Sequence, residues 1–164
     1  SYRILGENSV MLWRTGMDYS SGARIRVEKE ISLTGRDIKV RYLVRNLEER
    51  EIEVRLGVEF SISPRLSYSF ASPCRVKIGE HERNYKERRI SCVDSIDIIS
   101  EIPPSFRVSW SQKTETWVSP ILTFAKSERG LKEIVQGVSF MPIFAVKLKG
   151  KEMFRLEFNA SCFK

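Results

Sequence analysis

Hydrophobic and polar positions alternate along most of the chain. Ile25, Val27, Ile31 and Leu33 fall on one side of an extended segment, with Arg24, Arg26, Glu28 and Glu30 on the other. Lys29 interrupts the apolar side, where its methylene stem can lie along the sheet while the ammonium reaches water. Thr34-Gly35-Arg36-Asp37 then predicts a tight turn. Beyond it Ile38, Val40, Tyr42 and Val44 take one face, and Lys39, Arg41 and Arg45 take the other with Leu43 among them. The cleanest period of two is Ile52, Val54, Leu56, Val58, Phe60 and Ile62, alternating with Glu51, Glu53, Arg55, Gly57, Glu59 and Ser61. A period of two puts every second side chain on one face. These segments therefore predict half-buried antiparallel strands, one face on a core and one in water.

From Ser63 to Lys86 the pattern is broken by Ser63-Pro64, Ser72-Pro73 and Ile78-Gly79-Glu80-His81, which predicts short strands and a loop-rich insertion. Alternation resumes from Ile90 to Ile99 and at Phe106, Val108 and Trp110, with Pro103-Pro104 between the two pieces. Glu115 to Lys126 reads as a further strand in which Pro120 marks an edge or bulge. Ile134 to Phe140 and Ala145 to Leu148 follow. Lys149-Gly150-Lys151-Glu152 predicts a hairpin turn into Phe154, Leu156 and Phe158. No stretch of about ten residues keeps a helical period, and Ser127 to Glu133 holds one helical turn at most. About nine to eleven strands with turns between them predict an all-β, antiparallel β-sandwich, with a closed barrel as the alternative.

The 164 residues are 41% hydrophobic and 30% charged, which suits a single β-sandwich domain, residues 1–164, that needs no disulfide or metal staple. The length excludes a large multidomain enzyme unless this is a piece of one. With no methionine before Met11, the chain reads as trimmed. The net charge of +7 is spread among acidic residues, and its longest basic cluster, Lys86-Glu87-Arg88-Arg89, is interrupted by a glutamate. That argues for a solvated surface rather than a nucleic-acid site, and no motif of a nucleic-acid fold accompanies it. Three cysteines with no close-spaced pair suggest reduced thiols and a cytoplasmic setting. No apolar run approaches the roughly 20 residues of a membrane helix, so no membrane partner is expected.

The chemistry of common active sites is thinly represented. One histidine, His81, supports neither a metal centre nor a serine or cysteine triad, and the glycines are too scattered for a phosphate loop. Neither a cofactor nor a metal is expected. Glu51, Glu53 and Glu59 share an outward face with Arg55, as a charge ladder would. Glu128, before Arg129-Gly130, either caps a local turn or accepts hydrogen bonds from a ligand. Trp110 continues the apolar register of Phe106 and Val108 and belongs to the core. Trp117 shares its side with Ser119, Ile121 and Thr123. The opposite side, Val118, Pro120, Leu122 and Phe124, is the more core-like, so Trp117 can face a groove or a partner.

The stretch from Trp117 to Gly137, WVSPILTFAKSERGLKEIVQG, carries Trp117, Pro120, Thr123, Ser127, Glu128, Gly130, Gln136 and Gly137. On these landmarks the chain resembles the C-terminal β-sandwich domain of family 57 glycoside hydrolases, the α-amylase/4-α-glucanotransferase group. Glu28-Lys29 through Arg41-Tyr42-Leu43-Val44-Arg45-Asn46, and Leu56-Gly57-Val58-Glu59-Phe60, fit the same domain. Lys126 departs from it, standing where an uncharged polar residue is more usual. The resemblance implies a galactose mutarotase-like supersandwich within a longer enzyme that cleaves or transfers α-1,4-glucan. Catalytic carboxylates would then lie on a separate domain, and no residue here inherits their role. The single histidine also falls short of mutarotase chemistry. The implied work is that of an accessory domain, packed against the catalytic domain of the same polypeptide and able to meet α-glucan through Trp117, Glu128 and Gln136. The alternative is a structural or protein-interaction β-sandwich module with no carbohydrate ligand.

Overall fold

A computed structural model describes residues 1–63, 75–78, 81–83, 89–100, 102–127 and 130–163. Residues 64–74, part of the stretch read as short strands and a loop-rich insertion, and the candidate Glu128 fall outside these residues. The described residues form twelve strands and no helix: β1 (Tyr2–Gly6), β2 (Ser9–Met17), β3 (Arg24–Thr34), β4 (Asp37–Asn46), β5 (Ile52–Gly57), β6 (Phe60–Ile62), β7 (Arg75–Ile78), β8 (His81–Arg83), β9 (Arg89–Ile99), β10 (Ser105–Ser127), β11 (Gly130–Leu148) and β12 (Met153–Phe163). They fall into two compact units, one of Ser1–Leu56, Ser109–Gln112 and Phe144–Ser161, the other of Gly57–Val108, Lys113–Ile143 and Cys162–Lys164.

In the first unit the strand order is β1-β2-β3-β4-β12, continuing to β10, while β5 pairs with β11. The alternation sets the faces. Val40 and Val44 of β4 and Leu156 and Phe158 of β12 are buried, while Arg41 and Glu157 between them are exposed. Val44, Ile25, Val27 and Phe154 pack with Ile52, Val54, Leu56, Val146 and Leu148, so two layers of strands share one apolar core. Phe144, Phe158 and Trp110 meet there, with ring centroids about 6 Å apart at 6.1 and 6.2 Å. Each fully buried aromatic ring of this kind contributes about 2–3 kcal/mol through burial. Lys29 lies on the apolar side as its position demands, its ammonium 5.4 Å from the centre of the Tyr42 ring.

The turns follow from local chemistry. Thr34 pairs with Asp37 across a two-residue turn in which Gly35 takes a φ of +62°, a conformation that glycine adopts without Cβ strain. Between β2 and β3, the Asp18 carboxylate accepts bonds from the Ser20 and Ser21 hydroxyls at 2.7 and 2.6 Å and from the Ser21 N–H at 2.8 Å. Asn46, fully buried, ties the β4–β5 connection to the turn between β11 and β12. Its amide donates to the carbonyls of Arg50, Leu148 and Lys149 at 2.8, 3.2 and 2.9 Å, and its carbonyl accepts the Glu48 N–H at 2.9 Å.

In the second unit β10-β9-β7-β8 are neighbours, and β11 pairs with β10 and with β6. β10 and β11 form a long antiparallel hairpin, from Glu115 opposite Ile143 to Ser127 opposite Gly130. Two expectations are corrected by it. The pieces read as separate strands on either side of Trp110 and of Phe140 are single strands, because cross-strand pairing carries the chain through the polar residues 111–114 and through Pro142, which lies opposite Thr116. Residues 130–133, offered as part of a helical turn, begin β11. The run from Ile52 to Ile62 also divides, since Val58 and Glu59 leave the ladder between β5 and β6.

Candidate functional site

The two described candidates lie on the β10–β11 hairpin. Glu115, Trp117 and Ser119 alternate with the buried Thr116 and Val118, so they share the outer face; across the ladder they oppose Ile143, Met141 and Ser139. Trp117 is 39% exposed. Its indole N–H donates to Glu115 Oε1 at 2.8 Å, and the Arg89 guanidinium lies 5.0 Å from its ring centre. Beside it the Ser139 hydroxyl donates to Glu59 Oε1 at 2.7 Å. The patch thus combines one aromatic ring with carboxylates, hydroxyls and a guanidinium. It can stack and hydrogen-bond a hydroxyl-rich molecule, although Arg89 already occupies one direction of approach to the ring.

Gln136 is also exposed. It stands at a β-bulge: Ile121 opposes Gly137 and Leu122 opposes Val135, leaving Gln136 without a residue across the ladder. Pro120 lies one residue from this bulge, as its lack of an N–H suggested. The bulge is held just beyond β6, where the Ser63 hydroxyl donates to the Gln136 carbonyl at 2.5 Å. A Cβ on Gly137 would overlap the Ile62 carbonyl oxygen, so glycine is needed for β6 to approach. Gln136-Gly137 therefore has a backbone role whatever its side chain does. Four to five ladder positions separate Trp117 from Gln136, roughly 14–17 Å along a strand. The two share a hairpin but do not converge on one cavity.

The core-like side opposite Trp117 is corrected beyond Pro120. Val118 is 2% exposed, yet Leu122 is 37% and Phe124 is 64% exposed. Alternation assigns a face, but whether a second layer covers it depends on where the partner strands stop. The neighbours of Trp117 were similarly hidden in the sequence. The Glu115-x-Trp117-x-Ser119 spacing could have found Glu115; Arg89 and Ser139 come from other strands and Glu59 from the link between β5 and β6, and only strand order brings them in.

The first unit carries a separate open groove of about 290 Å3 on its polar face, lined by Glu28, Glu30, Arg41, Leu43, Arg155 and Glu157 among others. Its carboxylates are paired. Arg41 Nη1 is 3.8 Å from Glu30 and its Nε 3.1 Å from Glu157, and Arg26 lies 2.9 Å from Glu28. Exposed pairs of this kind contribute about 0–1 kcal/mol each. Trp13, on the same face, lies with the Arg26 guanidinium 6.0 Å from its ring centre. Arg41–Glu30 and Arg41–Glu157 link neighbouring strands, whereas Arg26–Glu28 lies within β3.

The chain is 27% identical over 139 residues to an α-amylase of Pyrococcus abyssi, which covers 85% of this chain and 18% of that protein. It is 28% identical over 142 residues to a 4-α-glucanotransferase of Thermococcus litoralis, covering 86% of this chain and 19% of that protein. The crystal structure of the latter superposes with a TM-score of 0.69 at 23% identity, over 98% of this chain and 22% of the other. A galactose mutarotase-like protein of Lactobacillus casei superposes with a TM-score of 0.71 at 10% identity, over 99% of this chain and 72% of the other. The fold is therefore all-β, antiparallel and mutarotase-like. The chain spans about a fifth of the length of the curated relatives it matches. The family described as alpha-amylase/4-alpha-glucanotransferase, C-terminal, matches residues 1–158, and the chain belongs to it.

Proposed function

We propose that this chain is a non-catalytic accessory domain of an enzyme that cleaves or transfers α-1,4-glucan, packed against the catalytic domain of the same polypeptide. The observation that carries the reading is the family match over residues 1–158, combined with relatives about five times as long that are an α-amylase and a 4-α-glucanotransferase. With one histidine and scattered glycines, the sequence matches no common active-site pattern. The ion-paired groove and the Trp117 patch supply hydrogen-bonding and stacking groups rather than a reaction centre. A cytoplasmic setting belongs to the same proposal, and the exposed unpaired thiols of Cys92 and Cys162 agree with it.

Contact with glucan is assigned to the Trp117 patch, with Gln136 and Glu128 on the same hairpin as further candidates. Titrating the protein with maltooligosaccharides while following tryptophan fluorescence and amide chemical shifts tests this assignment. A saturable response at millimolar sugar, lost in Trp117→Ala, is expected. No response, or one unchanged in that variant, refutes the contact while leaving the packing role intact. One observation favours a second reading, in which the domain packs and binds no sugar. Arg89 stacks on the Trp117 ring and Glu115 takes its N–H, so the ring is already partnered within the protein.

A further inference from the structure

The apolar face of the first unit runs on past its own core. Cross-strand registers place Phe158, Val40, Ile31, Val10 and Ile4 in one row over β12, β4, β3, β2 and β1. Exposure climbs along that row from 1% at Phe158 and 7% at Val40 to 70% at Ile4. A parallel row runs from Leu156, fully buried, through Tyr42, Lys29 and Leu12 to Tyr2, 71% exposed. Leu33 and Ile38 extend the open area at the β3–β4 turn. Ile4, Val10, Ile31, Leu33 and Ile38 line a groove of about 370 Å3 there. One continuous hydrophobic face is thus covered at one end and bare at the other, and an open apolar area of this kind marks a place of contact.

The bare end coincides with an open strand edge. β1 has one neighbour among the described strands, β2. The Ser1 nitrogen donates to the Trp13 carbonyl at 3.2 Å and the Trp13 N–H to the Ser1 carbonyl at 3.0 Å. In an antiparallel pair such bonded positions alternate, so Arg3 also turns its backbone groups to β2, while Tyr2 and Ile4 turn theirs outward. An edge with unpaired N–H and C=O groups beside exposed isoleucine and tyrosine is a template for another strand.

We propose that the occupant is the stretch of the same polypeptide that precedes Ser1, adding β-structure to the β1 edge and covering the face formed by Tyr2, Ile4, Leu12, Leu33 and Ile38. Three facts select it over a second copy or a foreign partner. The family is a C-terminal one whose relatives are about five times as long, so their additional chain lies mostly ahead of the matched part. Any residue before Ser1 emerges along the edge itself, next to the bare face. The L. casei mutarotase-like protein has more than a quarter of its length beyond the matched part, so this fold occurs with more chain than the present residues supply. The inference rests on the proposed function only in taking the chain as part of a longer enzyme.

Hydrogen exchange on the full natural chain tests it, with Arg3 as an internal control because its N–H is held by β2 in either case. A covered edge predicts Tyr2 and Ile4 amides that exchange within about tenfold of Arg3; an open edge predicts exchange at least about a hundredfold faster. Ile4→Asp and Leu33→Asp should speed proteolysis of the full chain tenfold or more, whereas Phe124→Asp, on the exposed hairpin, should leave it within twofold. The inference is overturned by fast exchange at Tyr2 and Ile4 with neutral aspartates. It is equally overturned by protection that appears only as the chain dimerises, or by a natural chain that starts at Ser1. Turnover of maltooligosaccharides by the same wild-type preparation reads the proposed function separately. Turnover with an open edge removes only this inference, and a closed edge without turnover removes only that function.

Discussion

Replacing Asn46 probes the tightest polar arrangement in the first unit. The side chain is fully buried, and its two amide hydrogens serve three carbonyls, those of Arg50, Leu148 and Lys149, while its own carbonyl holds the Glu48 N–H. In Asn46→Ala, the Arg50 and Lys149 carbonyls and the Glu48 N–H are close enough to the surface to find water. Each should lose about 0.5–1.5 kcal/mol of net bonding. The Leu148 carbonyl is buried, and leaving it without a donor costs about 1–3 kcal/mol. Simple addition gives about 2.5–7.5 kcal/mol; because terms that share one side chain overlap, the expected loss lies toward the lower end, about 3 kcal/mol. For a domain of this size that is roughly 6–12 °C in Tm. Asn46→Asp keeps the shape but turns an anionic oxygen toward three carbonyls, so it should cost more than alanine at pH 7 and less at pH 4. Urea unfolding and thermal denaturation followed by circular dichroism measure both variants. An alanine variant within 1 kcal/mol of wild type, or an aspartate variant no worse than alanine at pH 7, would refute the reasoning.

The remaining predictions are smaller. Gly137→Ala forces a methyl group onto the Ile62 carbonyl and should destabilise the second unit by about 1–3 kcal/mol, read as faster exchange of amides in β6; unchanged exchange would mean that the bulge has room. The hydroxyls of Ser21 and Ser20, as donors to Asp18, hold its carboxyl below its ordinary value. A depressed carboxyl contributes stability above its unfolded value, about 3.9, and loses it as pH falls through the folded value. Asp18→Asn should therefore lower stability at pH 7 by no more than about 1 kcal/mol, since the turn is open to solvent, and the difference should vanish near pH 2. A deficit that persists in acid would assign the effect to packing instead. Arg107, bonded to Asp97 at 2.6 and 2.7 Å, is held more firmly protonated by that bond and by its charge. Arg107→Ala leaves the mostly buried Asp97 unpaired, so it should destabilise the second unit more than Asp97→Asn does, as measured by urea unfolding.

The strands of the first unit were legible because one face is buried and the other is charged. Ile25 to Leu33, Ile38 to Val44 and Phe154 to Phe158 alternate for that reason; Gly22 and Gly35 take the left-handed conformation on either side of β3, whereas Lys151, not Gly150, takes it before β12. β1 and β2 were not legible. Met11 and Trp13 on one face and Val10 and Leu12 on the other are all apolar, so no period of two emerges. That same two-sided character now accompanies the bare face of β1. Asn46 gave no signal, since its partners lie up to 103 residues away. At the candidate site, Trp117 was recognisable as outward-facing from Ser119 and Ile121. The Arg89 cover on its ring was not, because it depends on β9 lying beside β10.

We have proposed that this chain serves a glucan-processing enzyme without holding its chemistry. Product analysis after incubation with maltooligosaccharides tests it most directly, comparing the 164-residue chain with the full natural chain. The account predicts that the full chain shortens or redistributes the oligosaccharides while the 164-residue chain leaves them untouched. Conversion by the 164-residue chain alone, or none by the full chain, would contradict it.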